Sequence, residues 1–141
     1  MLGAKCASGE GMKRILVADV PQMDVRYNAA LAGWEAAFVR TLSQARRALT
    51  ERYDLVLIGV YFDDSQVFDL VRSIRAKPDY AGVPILGVRA RSGFTAVSAR
   101  TLEMTLKALA ADEFIDLALV GDDAAGNAAL RAATRRLLKE A

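Results

Sequence analysis

The stretch YDLVLIGVYFDD, residues 53–64, decides the fold of this chain. Its centre, LVLIGV, is an unbroken apolar run that is too short for an ordinary helix. Such runs are typical of central strands in parallel sheets, where helices cover both faces of the strand. The acidic residues that follow, Asp63 and Asp64, predict a loop at the carboxyl end of that strand.

Four further strands are predicted from short runs that are rich in branched or aromatic side chains. In chain order these runs are KRILVADV, which ends near Asp19, then WEAAFV, PILGV and EFIDLAL. A segment with helical spacing of its apolar residues follows each strand, and no hairpin signal interrupts the alternation. The chain is therefore predicted to be an α/β protein, a flavodoxin-like (βα)5 three-layer sandwich with a five-stranded parallel sheet.

Local signals predict where the helices begin and which faces they bury. Pro21 suits the first turn of the first helix, and Thr41 with Gln44 forms a capping box for the second. Residues 63–65 are expected to cap the third helix, because Asp and Ser are favoured at that position. The last helix is expected to turn four residues inward: Leu130, Ala133, Leu137 and Leu138.

Length and composition fit one domain, with residues 1–12 expected to form a flexible head and residues 13–141 the domain. A net charge of +2 does not point to nucleic acid. Five arginines are expected on solvated helix faces, at positions 46, 47, 131, 135 and 136. No apolar run approaches the roughly 20 residues that span a bilayer, and one cysteine cannot form an intramolecular disulfide. A cytoplasmic protein that binds neither membrane nor nucleic acid is expected.

The chain contains no histidine. This excludes serine and cysteine triads that use a histidine base, and it excludes metal sites that contain histidine. The glycines form no phosphate-binding or dinucleotide-binding fingerprint. The sequence therefore indicates no cofactor and no common enzyme class.

From Lys13 to Ala141, the order of these motifs resembles a response-regulator receiver domain. RILVADV is similar to the family's first strand, residues 53–90 are similar to its third through fourth strands, and AADEFIDLA is similar to its fifth. The resemblance implies a phosphoryl-transfer site with an acidic pair that holds Mg²⁺ and an aspartate that accepts phosphate. It also implies a Ser or Thr and a Lys that stabilise the phosphoryl oxygens.

Most of these residue types are missing at the matching positions. Asp19 matches one member of the acidic pair, but the residue after it is a valine. Gly59 stands at the phosphoacceptor position, and glycine has no side chain to phosphorylate. Arg89 replaces the Ser or Thr, and Leu117 replaces the Lys. The expected result is a receiver-shaped pocket without its reactive residue.

The changed site suggests further hypotheses. Arg89 is expected to pair with Asp19 across the empty acceptor position, so that the ion pair replaces both metal and phosphate. Asp63 and Asp64 are either displaced phosphate acceptors or helix caps, and the cap is favoured. Phe114 matches the family's switch aromatic, although plain core packing is the favoured explanation of an aromatic residue on a strand.

These observations favour a pseudo-receiver, a non-enzymatic protein-interaction module of two-component-type signalling that uses no phosphorylation, metal or cofactor. The resemblance implies that a signalling protein, or a second copy in a homodimer, docks on the fourth helix, fifth strand and fifth helix. The long segment from Arg89 to Leu117 predicts an extended fourth helix there. Two alternatives stay open: a module that binds a small molecule or anion through Arg89 and Arg91, and an active receiver that uses Asp63 or Asp64.

Overall fold

The computed structural model describes residues 12–90, 99–117 and 123–140, so residues 1–11 of the predicted head lie outside it. Five strands form one parallel sheet in the order β2-β1-β3-β4-β5. Their bounds are β1 (Arg14–Ala18), β2 (Glu35–Val39), β3 (Leu55–Gly59), β4 (Ile85–Arg89) and β5 (Glu113–Asp116). The central strand β3 is buried along its whole length, as its unbroken apolar run predicts. The predicted flavodoxin-like fold is confirmed.

The helices alternate with the strands. Their bounds are α1 (Asp24–Ala30), α2 (Leu42–Ala48), α3 (Val67–Arg75), α4 (Ala99–Ala108) and α5 (Asp123–Leu138). Short helical turns at Pro21–Met23 and Pro78–Tyr80 precede α1 and β4, and another at Phe62–Ser65 precedes α3. Among the described residues, no helix combines the length and apolar character needed to cross a membrane.

Two hydrophobic clusters, one on each face of the sheet, make the three layers. One cluster joins alternate strand residues such as Val56 and Ile58 to α2, α3 and α4. The other joins Val17, Leu57 and their neighbours to α1 and α5. Because successive residues of a strand point to opposite faces, a strand between two helical layers must be apolar throughout. The position of β3 follows directly from this requirement.

The capping signals have two outcomes. Thr41 Oγ1 accepts a hydrogen bond from the Gln44 N–H at 3.0 Å, which confirms the predicted cap of α2. The expectation that residues 63–65 cap the third helix is wrong, because α3 begins without a side-chain cap. All three of these residues have positive φ, between 44° and 63°. The chain therefore turns back, and Asp63 Oδ2 accepts a hydrogen bond from the Leu42 N–H at 2.7 Å, at the start of α2.

The last helix buries the expected residues, except that Leu137 is only half-buried. Arg131, however, does not lie on a solvated face as predicted. It donates hydrogen bonds to the carbonyls of Ala30 at 3.0 Å and Ala32 at 2.7 Å, and it stacks on the Trp34 ring. These carbonyls lie at the carboxyl end of α1, where a cation is favourable. Arg131 thus joins α5 to α1.

The described part of α4 has ten residues. The predicted extension falls on residues 91–98, which lie outside the described residues, as do residues 118–119 of the predicted fifth strand. At its other end the helix closes through a Schellman motif. There the N–H of Ala110 donates to Lys107 and that of Ala111 donates to Leu106, each at 2.9 Å.

Ala110 adopts the left-handed conformation in this motif, with φ of 72°. A side chain disfavours that conformation by about 1–2 kcal/mol, and glycine tolerates it. We therefore expect Ala110→Gly to raise the free energy of unfolding in urea by about 0.5 kcal/mol. Ala128→Gly, at an exposed position inside α5, should lower it by about 1 kcal/mol. Destabilisation by both substitutions would contradict this account of the helix end.

Candidate functional site

The carboxyl ends of β1, β3, β4 and β5 bring the predicted site residues to one edge of the sheet. Asp19 follows β1, Gly59 ends β3, Arg89 ends β4, and Leu117 follows β5. Ala18 pairs with Ile58 in the register of β1 and β3, so the next residues, Asp19 and Gly59, are also neighbours. Crevices at this edge are where open parallel sheets bind their ligands.

The Asp19 carboxylate occupies the space that a side chain at position 59 would need. A Cβ atom built on Gly59 would lie 2.0 Å from Asp19 Cγ and 2.1 Å from each carboxylate oxygen. Such separations are far below van der Waals contact, so only glycine fits beside Asp19 in this position. The predicted acceptor position therefore has no side chain of its own, and the carboxylate of another acid, Asp19, fills its space.

Two hydrogen bonds hold Asp19 in place. The Tyr27 hydroxyl donates to Oδ2 at 2.5 Å, and the Val20 N–H donates to Oδ1 at 2.7 Å. Asp19 is 5% exposed and Tyr27 is fully buried. Burial raises the pKa of Asp19, although both hydrogen bonds and the charge of Arg40 act in the opposite direction. Burial and the adjacent Asp19 carboxylate raise the pKa of Tyr27 well above its usual value.

Sequence reasoning missed Tyr27 as a member of this site. It lies on the buried stripe of the first helical segment, four residues after Met23 and three before Ala30. A buried tyrosine usually needs a partner for its hydroxyl, and Asp19 lies eight residues earlier, just after β1. The helical spacing could have identified Tyr27 as a buried residue, whereas its bond to Asp19 follows only from the fold.

Arg40 adds a second connection at the same end of the sheet. Its guanidinium donates to both Asp24 carboxylate oxygens, at 2.9 and 2.5 Å, and to the Asp19 carbonyl at 3.2 Å. The pair is bidentate, the geometry in which arginine binds carboxylates most strongly. Arg40 therefore fixes the segment between β1 and α1 from which Asp19 projects.

The expected ion pair between Arg89 and Asp19 is wrong. Arg89 pairs instead with Asp116 through Nε at 3.1 Å and a shorter contact from Nη2. Their side chains are 7% and 5% exposed. The two residues are direct partners in the register of β4 and β5, which explains the choice. The hydrogen bond to Asp116 raises the pKa of Arg89 further.

Leu117 and Phe114 both pack against apolar neighbours. Leu117 is buried in the cluster between the sheet and α1 and α5, and it approaches Gly126 of α5. Phe114 is half-buried beside Gly87 on the opposite face, against the cluster that includes Leu106. An apolar side chain at position 117 therefore fills space where the resemblance implies a lysine.

A crevice of about 560 Å³ opens at this edge of the sheet. Its described lining is Asp19, Val20, Gln22, Met23, Arg26, Val60, Tyr61, Val88, Ala90 and Asp123. Neither Asp63 nor Asp64 belongs to this lining, and Asp63 is engaged at the start of α2. Within the described ranges, no three Asp, Glu, Cys or His side chains cluster closely enough to hold a metal ion.

Removing the Tyr27 hydroxyl tests how much its hydrogen bond stabilises the buried Asp19 carboxylate. We expect Tyr27→Phe to lower the free energy of unfolding by about 2 kcal/mol at pH 7, the usual value for a hydrogen bond to a charged group. An acid whose folded-state pKa is raised stabilises the fold most below its unfolded-state pKa, and loses that contribution as pH rises through its folded-state pKa. Loss of the Tyr27 hydroxyl raises the folded-state pKa of Asp19 further. The loss of unfolding free energy, measured in urea, should therefore be larger at neutral than at acid pH.

Asp19→Asn provides the control for this prediction, since asparagine does not ionise and can still hydrogen-bond the tyrosine. In that background Tyr27→Phe should cost about 1 kcal/mol at every pH, as expected for a neutral hydrogen bond. The same pH dependence in both backgrounds would contradict the account of a buried ionised Asp19.

The fold agrees with that of solved receiver domains. The phosphorylated cyanobacterial phytochrome response regulator RcpA has a TM-score of 0.74 at 15% identity, covering 90% of this chain and 94% of its own. A receiver domain of a Syntrophus aciditrophicus histidine kinase reaches 0.69 at 24% identity, covering 90% of each chain. The receiver domain of the Pseudomonas aeruginosa kinase PA1611, solved with magnesium in its active-site cleft, reaches 0.69 at 22% identity, covering 92% of this chain and 99% of its own.

No sequence-family model matches the chain, and no curated protein sequence matches it. Because the identities to solved structures lie below 25%, the likeness speaks to architecture alone. The five-stranded parallel sheet, its strand order and its helical layers are therefore those of the response-regulator receiver fold.

Proposed function

We propose that this chain is a pseudo-receiver, a cytoplasmic protein-interaction module of two-component-type signalling that works without phosphorylation and is not an enzyme. One observation carries the proposal: the Asp19 carboxylate fills the acceptor position beside Gly59 and is held there by Tyr27. A phosphoryl group would need both an acceptor side chain and open space at this point, and Asp19 occupies the space.

The surrounding residues support the same proposal. Asp19 is the single acid carried over from the Mg²⁺-binding pair, and both of its oxygens already accept hydrogen bonds. A cation is needed near the phosphoryl oxygens to offset their charge in the transition state. Arg89 is instead neutralised by Asp116, and Leu117 offers an apolar side chain. These residues would neither bind the metal nor stabilise the transferred group.

An active receiver that uses Asp63 or Asp64 fits the geometry less well. The Asp63 carboxylate accepts the Leu42 N–H, and neither acid lines the crevice at the end of the sheet. Phosphorylation of Asp63 would remove a hydrogen bond from the start of α2. We therefore assign Asp63 a structural role and propose neither acid as the phosphate acceptor.

We place the partner-binding surface on α4, β5 and α5, as the resemblance implies. Met104 of α4 exposes 61% of its surface, a large exposure for an apolar side chain. Charged residues surround it in sequence, including the ion pair of Glu103 with Lys107. A second pair, Arg136 with Glu113, joins α5 to β5. We take Met104 as the apolar centre of the proposed interface and these charged pairs as its rim, the usual composition of a protein interface.

Sedimentation equilibrium tests this surface with the chain itself as the partner. We expect wild-type protein to form a concentration-dependent dimer that acetyl phosphate and Mg²⁺ do not change. Met104→Glu should weaken the dimer at least tenfold, because a charge would be buried at the centre of the interface. Val25→Glu is the matched control, since Val25 is 81% exposed on α1, and it should have no effect. A dimer that forms only with the phosphodonor would contradict the proposed function.

A further inference from the structure

The crevice has a binding role that goes beyond a phosphorylation-independent interaction module. We propose that it binds a small amphipathic carboxylate, whose acid group contacts Arg26 and whose apolar body packs against the crevice wall. Three properties of the crevice carry this inference: its volume and apolar lining, the engagement of its other polar groups, and the weak engagement of Arg26.

The volume and wall suit the apolar part of such a ligand. At about 560 Å³, the crevice lies within the range of about 300–1,000 Å³ that is usual for small-molecule sites. Five of its ten described lining residues are apolar: Val20, Met23, Val60, Val88 and Ala90. Burial of a ligand's apolar surface here would provide affinity at about 25 cal/mol per Å² before the costs of association.

The polar groups inherited from the receiver fold do not serve this ligand. Asp19 contacts the crevice, but Tyr27 and Val20 donate to its two oxygens. Arg89 is not part of the described lining, and its guanidinium binds Asp116. Arg89 is therefore not the cation of this proposal, and Arg91, the other cation of the open alternative, lies outside the described residues.

Arg26 is positioned at the crevice with long polar contacts. Its Nε is 3.4 Å from Asn127 Oδ1, and its Nη1 is 3.9 Å from the Asp123 carboxylate. The guanidinium rests on α5 at Gly126, where an added Cβ would lie 2.3 Å from Nη2. Glycine at position 126 thus makes room for the arginine. The guanidinium of Arg26 has five N–H donors. Because its polar contacts are long, it can bind a ligand carboxylate through two shorter hydrogen bonds.

The two acids of the crevice lining select the charge of the ligand. Asp19 and Asp123 both line the crevice, so they would repel a dianion such as a phosphate monoester more strongly than a monoanion. Asp123 is 88% exposed, and at 3.9 Å from Arg26 its ion pair is weak and screened by water. A ligand carboxylate can displace Asp123 from Arg26. A ligand cation is disfavoured, because it would have to approach the positive charge of Arg26.

Calorimetric titration with 2-naphthoate tests the proposal, with 2-naphthalenemethanol as the neutral probe of matched size. We expect 2-naphthoate to bind at least tenfold more tightly than the alcohol, because charged hydrogen bonds contribute about 1.5–3 kcal/mol. Arg26→Gln should remove this preference. Asp123→Asn should tighten 2-naphthoate binding about threefold by removing the competing carboxylate, with little effect on the alcohol.

The two variants act in opposite directions, so a folding defect in one cannot imitate the result. Circular dichroism checks that Arg26→Gln is folded, and Asp123→Asn changes an exposed side chain. Equal affinity of the wild type for both probes would overturn the proposal, as would 2-naphthoate binding that neither variant alters. Phosphorylation is not involved in this test, so its failure would leave the proposed pseudo-receiver function standing.

Discussion

Gly59→Asp, which restores the residue type of a phosphoacceptor, is expected to destabilise the protein by about 4 kcal/mol and to leave it unable to accept phosphate. The new Cβ would meet the Asp19 carboxylate at 2.0 Å, so the buried acid must leave its hydrogen bonds. Overpacking a core costs about 1–3 kcal/mol. A second carboxylate in the same buried space adds charge repulsion. The total loss of unfolding free energy therefore reaches about 4 kcal/mol, a value typical of the most destabilising substitutions. Urea unfolding at pH 7 measures it.

A double-variant cycle shows whether Asp19 causes the loss. Asp19→Ala in the Gly59→Asp background removes the clash and leaves one carboxylate for the Tyr27 hydroxyl, so at least half of the loss should be recovered. The expected coupling is at least about 2 kcal/mol, in the range of residues in direct contact. Gly82→Asp is the matched control, because a Cβ at Gly82 has nothing within 4 Å, and it should cost less than about 0.5 kcal/mol. Additive effects of the two substitutions at the site would contradict the account.

Arg89→Met is expected to lower the free energy of unfolding by about 3 kcal/mol. The substitution leaves the Asp116 carboxylate buried without the guanidinium that pairs with it. Removing one partner of a buried ion pair costs about 3–5 kcal/mol, chiefly because the remaining charge loses its compensation. Urea unfolding measures the loss, and Arg72→Met is the control because Arg72 pairs with Asp69 on the surface. The control should cost less than about 1 kcal/mol.

Replacing both partners separates the cost of a broken pair from the value of the pair itself. Arg89→Met with Asp116→Leu should recover most of the stability, because apolar residues often replace a buried ion pair at little cost. If the double variant is less stable than Arg89→Met alone, the pair with Asp116 does not explain the first loss.

The fold could be predicted from local pattern because the pattern is repetitive. Each strand of the sheet is a short apolar run, and each helix has one apolar stripe, so the alternation specifies a parallel sheet with two helical layers. The left-handed conformation of residues 63–65 could not be predicted, because acids followed by an apolar helix also match an ordinary cap.

The candidate site was predictable in its location and only partly in its contacts. Asp19, Gly59 and Arg89 all lie at the expected edge of the sheet. Their partners depend on the pairing register between strands, which aligns Arg89 with Asp116 and places Asp19 beside Gly59. A register shift of one residue would exchange all these neighbours. Strand prediction alone therefore identified the residues and assigned Arg89 to the wrong acid.

In the pseudo-receiver that we propose, Asp19 fills the predicted acceptor position and makes it a fixed site. The buried carboxylate, the tyrosine that binds it and the glycine that admits it depend on one another, because a change at any of the three disturbs the other two. Such mutual dependence among buried polar groups favours one well-defined conformation when every group has its partner.

Intact-mass measurement after incubation with acetyl phosphate and Mg²⁺ tests the central claim most directly. The response regulator RcpA, which has been solved in its phosphorylated form, serves as the positive control under the same conditions. We predict that the mass of this protein stays unchanged while RcpA gains a phosphoryl group. A stoichiometric phosphoryl addition to this chain, at Asp19, Asp63 or Asp64, would contradict the claim that its acceptor site is filled and inactive.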